Sequence, residues 1–196
     1  MSTPRQHRPA RATWRSGAHP DHPGPPHSGQ QSGLSYPLAL RLVAIYSRRR
    51  NTIHDATADA TIAAAAATLS RAYRTRPDPA ATPAELVITT HTPATGPAGT
   101  SLAELATQVS DGGCLVVVVP ADRGHDRSTV LTDIAAAGLM PLHCIQAITD
   151  PAGVTGDRFT YHTPDRDPGT AADPTAVTHC WLVIATAPHL EGGIDA

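Results

Sequence analysis

The chain has 196 residues, 40% of them hydrophobic, 16% charged and 4% aromatic, which is room for one domain with an aliphatic core plus a tail. Its formal net charge is -2 and all 15 basic residues are Arg, so a strongly basic nucleic-acid coat protein and a P-loop, which needs Lys, are both excluded. No apolar run reaches the roughly 18 residues that span a bilayer, and no apolar leader opens the chain, so the expectation is a cytoplasmic protein without a membrane partner.

Residues 1–33 carry Arg5, Arg8, Arg11 and Arg15 against one acid, with four His and many Pro, Gly, Ser and Gln. They show no apolar periodicity and are expected to be a disordered basic tail, since they bury too little surface to offset their ordering entropy. Trp14 and the tail arginines could form a small nucleic-acid anchor, although a solvated tail explains them as well.

The remaining segment, 34–190, reads as one α/β domain. Apolar residues at helical spacing predict a helix over 36–46, with Ser35 as N-cap and Pro37 in the first turn. Arg48-Arg49-Arg50-Asn51 is its stop, where cations suit the helix C-terminus. Thr52-Ile53-His54 is a strand candidate, and 60–74 is rich in helix formers. A Pro-rich link leads to the strand 85–90. The segment 101–109 predicts an amphipathic helix with Leu102, Leu105 and Val109 on one face. The turn Asp111-Gly112-Gly113 then leads to 114–119, an unbroken apolar run of the kind covered on both faces in a parallel sheet. A helix over 126–137 stops at Gly138, and 139–148 is strand-like. The segment 150–175 is an excursion with a short extended piece at 158–162. The last strand is 177–187. Strands alternating with helices predict a mainly parallel sheet, with the final two strands as an antiparallel pair. Cys114, Cys144 and Cys180 lie in apolar runs without a Cys-x-x-Cys pair, so they read as buried free thiols rather than a disulfide or zinc site.

Several local motifs fit this layout. Ser35-Tyr36-Pro37-Leu38 opens the first helix, and Asp55 begins the polar turn that follows the first strand and runs on through Thr61. Thr90-His91-Thr92-Pro93 follows the strand 86–89. Asp111-Gly112-Gly113 precedes a Val run, and Ala137-Gly138-Leu139 ends a helix. Over about 35–187 the chain resembles class I S-adenosylmethionine-dependent methyltransferases. Within them it resembles the DNA cytosine-N4/adenine-N6 and tRNA guanine-N2 amino-methyltransferase branch. The resemblance implies a Rossmann-like sheet in the order one, four, five, seven, six, with strands two and three trimmed away.

The resemblance also implies which residues would touch the methyl donor: Asp55, Thr57, Asp59 and Thr61. Asp59 and Thr61 stand at the two positions where the family has glycine, which permits close backbone approach, and Asp59 adds a negative charge where the donor's carboxylate would lie. The same comparison puts Thr90 and His91 in the catalytic loop. Thr90 would hydrogen-bond the target amine and His91 would stack weakly or act as a base. Pro93 replaces the aromatic residue that stacks on the base. No acid is available to hold the donor's ribose, Asp78 and Glu85 being the nearest. These departures imply a degenerate, pseudoenzyme-like homologue with S-adenosylmethionine binding weakened or lost.

Two other readings stand beside this one. The first is a non-catalytic module that binds DNA, tRNA or a protein partner through its basic tail. It would use the sheet edge exposed by the missing strands, which could also support a homodimer. The second is a small enzyme using His54, Asp55 and His91, all expected at the carboxyl edge of the sheet; a hydrogen-bonded rim without chemistry is the simpler and favoured reading of them. Asp122, Arg123, His125, Asp126 and Arg127 read as a solvated, helix-capping loop, and His143 and His179 as strand residues.

Overall fold

The computed structural model describes residues 9–16, 34–76, 82–91, 101–121, 127–149, 158–162 and 177–188. The elements in chain order are β1 (Ala10–Ser16), α1 (Tyr36–Tyr46), β2 (Thr52–Asp55), α2 (Ala60–Thr68), β3 (Ala72–Arg74) and β4 (Ala84–Thr90). They continue with α3 (Leu102–Ala106), β5 (Val109–Pro120), α4 (Arg127–Ala136), β6 (Met140–Thr149), β7 (Arg158–His162) and β8 (Val177–Thr186). The strands form one eight-stranded sheet in the order β3-β2-β4-β5-β8-β6-β1-β7. β3, β2, β4 and β5 run parallel, while β8 is inserted antiparallel between β5 and β6. The run β2-β4-β5-β8-β6 is the order one, four, five, seven, six. The fold is α/β and Rossmann-like, mainly parallel with a C-terminal antiparallel pair, as expected.

Strand alternation divides the core into two layers. Ile53, Leu86, Ile88, Val116, Val118 and Ile184 face α1 and α2. Val87, Leu115, Val117, Val119 and Val183 face the other way, with α3 and α4 over them. The apolar run of β5 is thus covered on both faces, which is why it does not alternate in polarity. α1 begins at Tyr36 with Ser35 and Pro37 placed as predicted. Cys144 and Cys180 are buried, Cys114 is half-buried, and all three are free.

Four expectations need correction. Residues 10–16, read as part of the disordered tail, form β1, parallel to β6 and antiparallel to β7. Ala12 and Trp14 alternate into the core, and Trp14 meets Phe159 edge-on at 5.7 Å. Two apolar residues are too few to show as periodicity in the sequence, yet their burial holds the strand. The rest of 1–33, apart from Pro9, lies outside the described residues.

The second correction concerns 60–74. The helix stops at Thr68, and Ser70 turns the chain with φ 56. Arg71 then caps both helices, donating to Leu69 O at 2.7 Å, Ser47 O at 3.0 Å and Ser47 Oγ at 3.1 Å. This leaves Ala72–Arg74 free to pair with β2 as a second strand. Third, the edge of β2 is therefore covered rather than exposed, and the sheet ends are β3 and β7. Fourth, α3 ends at Ala106, so Val109 opens β5 instead of closing a helix, and Asp111-Gly112-Gly113 is an irregularity inside that strand.

Candidate functional site

The candidate residues sit where β2 and β4 end at the carboxyl edge of the sheet. The turn after β2 is organised by Asp55, which is fully buried. Its Oδ1 accepts from the Thr57 N–H at 2.9 Å and the Thr57 hydroxyl at 2.6 Å. Its Oδ2 accepts from the Asp59 N–H at 2.9 Å and the Tyr73 hydroxyl at 2.9 Å. A carboxylate offers about four acceptor sites, so Asp55 is saturated by its own surroundings. Desolvation and the neighbouring carboxylates push the Tyr73 phenol well above its usual pKa, so it stays a donor.

Asp59, also fully buried, is the N-cap of α2, with Oδ1 accepting from the Thr61 N–H at 2.8 Å. The remaining N–H groups of the turn are mostly used as well. Ala56 donates to Ile88 O, Ala58 to Asp55 O, and Ile62 and Ala63 to Asp59 O. From Ala56 to Ala63, only the Ala60 N–H has no partner among these bonds. The turn also contains a non-glycine residue in the left-handed region, Ala58 with φ 54. A glycine would sit there without the steric cost of a Cβ.

The structure thus brings Asp55, Thr57, Asp59 and Thr61 together, as the sequence suggested, but with their side chains turned inward. Thr57 is 7% exposed and Thr61 3%. Thr90 is half-buried at the end of β4. His91 follows it, and its N–H donates to Val118 O. The His91 ring lies on the side of α4, with Nε2 3.3 Å from Asp133 Oδ2. His54, Asp55 and His91 do not share a site. Consecutive strand residues point to opposite faces, so His54 lies on the α3 side of the sheet and Asp55 on the α2 side. His54 is also level with Val87, four residues before His91. Among the described residues no group of three or more His, Cys, Asp or Glu is placed to hold a metal.

His54 is 1% exposed, and neither ring nitrogen has a partner at hydrogen-bonding geometry. Gln108 and Arg74 are its polar neighbours, and Gln108 Oε1 and Arg74 Nε are themselves buried without partners. Burial, reinforced by the Arg74 cation, lowers the His54 pKa and keeps the ring neutral.

Sequence reasoning missed three residues here. Tyr73 and Arg74 were hidden inside an apparent helix. Asp133 sits mid-helix, where nothing local marks it as a partner for His91. The end of the second strand, where the resemblance would place a ribose-binding acid, is occupied by Arg74. Asp122, Arg123, His125 and Asp126 lie outside the described residues, as does the side chain of His179; Arg127 stacks its guanidinium 3.8 Å from the Trp181 ring centroid. A polar cleft of about 350 Å³ exists, but it is lined by Tyr46, Arg48, Glu85 and Gly113, among others, at the opposite, amino edge of the sheet.

No protein-family model matches the chain, and no curated protein matches it. Solved structures do. The N-methyltransferase NodS from Bradyrhizobium japonicum WM9 overlays with a TM-score of 0.42 and 13% identity, covering 78% of this chain and 94% of that one. A precorrin-6y C5,15-methyltransferase from Geobacter metallireducens GS-15 overlays with a TM-score of 0.44 and 10% identity, over 78% and 87% of the two chains. An rRNA methylase from Streptococcus thermophilus gives a TM-score of 0.39 and 11% identity, over 76% and 94%. NodS is also known in complex with S-adenosyl-L-homocysteine. These overlays are loose and concern the fold; the strand order of the chain itself defines its architecture.

Proposed function

We propose that the chain is an S-adenosylmethionine-dependent nucleic-acid N-methyltransferase-like protein in which donor binding and catalysis are weak or lost. The observation that carries this reading is the closed turn between β2 and α2. A donor molecule bearing a carboxylate and an ammonium group needs free N–H groups at a helix N-terminus and an accessible acid. Here the Asp59 carboxylate already occupies the start of α2, and Asp55 has no acceptor position left. The residues present therefore do not fit S-adenosylmethionine in the manner that the motif resemblance implies. Arg74 at the end of β3 adds to the misfit, since a guanidinium does not accept hydrogen bonds from ribose hydroxyls. His91, held beside Asp133 on the α4 side, faces away from the turn that would present a methyl group. A chain that keeps this scaffold without its donor works by binding, to nucleic acid or to a protein partner.

Calorimetry with S-adenosylmethionine and S-adenosylhomocysteine tests the reading. The expected result is no heat of binding below millimolar ligand. Micromolar binding that disappears in Asp55→Ala would overturn it and return an enzyme to consideration.

A further inference from the structure

Arg48, Arg49 and Arg50 follow α1 and lie at the amino edge of the sheet, where β2 begins at Thr52. Cations just past a helix would be expected to serve its last carbonyls, but the structure gives that role to another residue. α1 ends at Tyr46 with Ser47 as C-cap and has no basic residue in its last turn. The guanidinium that reaches the helix end is that of Arg71, donating to Ser47 O at 3.0 Å and to Ser47 Oγ at 3.1 Å. All three arginines of the triplet are exposed, and no described residue bonds to any of their guanidinium groups. Arg48 shares the amino-edge cleft with Glu85 and Asp111 yet forms an ion pair with neither.

The backbone beneath the triplet is fixed. The Asn51 N–H donates to Arg48 O at 3.1 Å, closing a turn, and the Arg50 N–H donates to Ser70 O at 3.1 Å, tying that turn to the end of α2. Arg50 itself sits in the left-handed region with φ 73. Glycine or asparagine fills such a position at little cost, whereas an arginine there is strained. Consecutive Cα atoms are about 3.8 Å apart, so three like charges are also crowded along about 8 Å of chain. The fold thus keeps an unfavourable backbone conformation and mutual repulsion at a rigid turn, with no side-chain bond inside the chain to offset them. An anionic partner outside the chain supplies that offset through charge-assisted hydrogen bonds. A single small anion neutralises one of the three cations. A duplex, with a phosphate charge for roughly every 1.7 Å of axis, engages all three at once. A bilayer surface calls for apolar side chains to insert as well, and of the large apolar side chains on α1 only Ile45 is exposed.

We propose that the turn of Arg48, Arg49 and Arg50 is a docking point for the phosphodiester backbone of nucleic acid, engaged without regard to base sequence. The proposal goes beyond the reading of the donor turn and uses none of its residues, so the outcome of donor calorimetry does not bear on it.

The test is fluorescence anisotropy of short labelled DNA duplexes of two unrelated sequences, titrated with the full chain at several salt concentrations. It compares wild type with Arg50→Gly and with the double variant Arg49→Ala/Arg50→Gly. The control is Arg76→Ala, an exposed arginine beyond β3 at the opposite edge of the sheet. Wild type should bind both duplexes within about threefold of each other, with an affinity that falls linearly on a log–log salt plot. The double variant should bind about tenfold more weakly or worse, with a slope shallower by roughly 1 to 2. Arg50→Gly should bind more weakly while its melting temperature holds or rises, because glycine accepts the left-handed conformation. A purely structural arginine would instead lower both together. The control should leave affinity within about twofold of wild type. If the double variant loses its circular dichroism signature, Arg49→Gln alone is read by the same criteria. Absence of duplex binding by wild type, unchanged binding by the double variant, or an equal loss in the control would overturn the proposal. So would displacement of the duplex by anionic lipid vesicles at equal charge, which would reassign the turn to a membrane.

Discussion

At Ala58 the backbone adopts φ 54 with an alanine side chain, and that single residue gives a direct check on the turn. Its side chain is exposed, so replacing it with glycine removes a steric cost of roughly 1–2 kcal/mol while adding a smaller entropy cost in the unfolded state. Ala58→Gly should therefore stabilise the chain by about 0.5–1 kcal/mol in urea unfolding; a loss of stability would mean that the turn is not built as described. One position on, Asp59→Ala should cost about 1 kcal/mol by removing the cap of α2, whereas Asp59→Asn should cost little because asparagine caps as well. His54 supplies a pH test. Its folded pKa lies below the 6.5 of the free side chain, so the folded state takes up its proton later than the unfolded state. The stability it contributes is complete above about pH 6.5 and is lost as pH falls toward the folded value. Melting temperature should decline on acidification from pH 7.5 to 5, and the decline should be shallower in His54→Gln. Part of it should persist, since burial lowers the pKa of His143 in the same direction.

At the scale of elements, β1 is the part of the fold most dependent on one side chain. Trp14 is buried against Phe159, and the Arg41 guanidinium lies 5.2 Å from its ring centroid. Trp14→Ala should cost about 3 kcal/mol or more. Its effect should reach β7, which among the described residues is paired only with β1. Hydrogen exchange should show amides in both strands losing protection together while β4 and β5 keep theirs; protection retained in β7 would show that it is held by something other than β1. Gly113 fixes the irregularity in β5. A Cβ there would meet Ser110 Oγ at 2.8 Å, Ser110 O at 2.9 Å and Glu85 O at 3.0 Å. Two of these are backbone atoms that cannot swing away, so Gly113→Ala forces strand β5 to shift against β4. The expected loss is about 1–3 kcal/mol in chemical denaturation.

For the whole molecule, the strands β2, β4, β5, β6 and β8 were legible because each carries its own signal, whereas their order in the sheet followed from the family resemblance and not from any local pattern. The apolar run Cys114 to Val119 marks a doubly covered strand, and Gly138 (φ 78) marks a helix stop. The piece 158–162 was also legible from its β-favouring residues, Phe159, Thr160 and Tyr161. The candidate site was half legible. Asp55, Thr57, Asp59 and Thr61 lie close together in sequence, so their clustering follows from a short turn. That they face inward depends on Tyr73, eighteen residues from Asp55, and on the pairing of β2 with β4. The strand identity of Ala72–Arg74 was not legible, because local propensity favours continuing the Ala-rich helix. Only the caps supplied by Arg71 and the free edge of β2 reverse that preference. The sequence by itself determined the alternation of strands and helices, the aliphatic two-sided core and the absence of glycine from the turn between β2 and α2, all of which are short-range properties of residue type and spacing. The tertiary structure alone decided that residues 10–16 join the sheet, that His54 and His91 lie apart, and that Tyr73 takes the last acceptor position of Asp55. Those outcomes depend on partners far away in sequence, whose contacts no local pattern encodes.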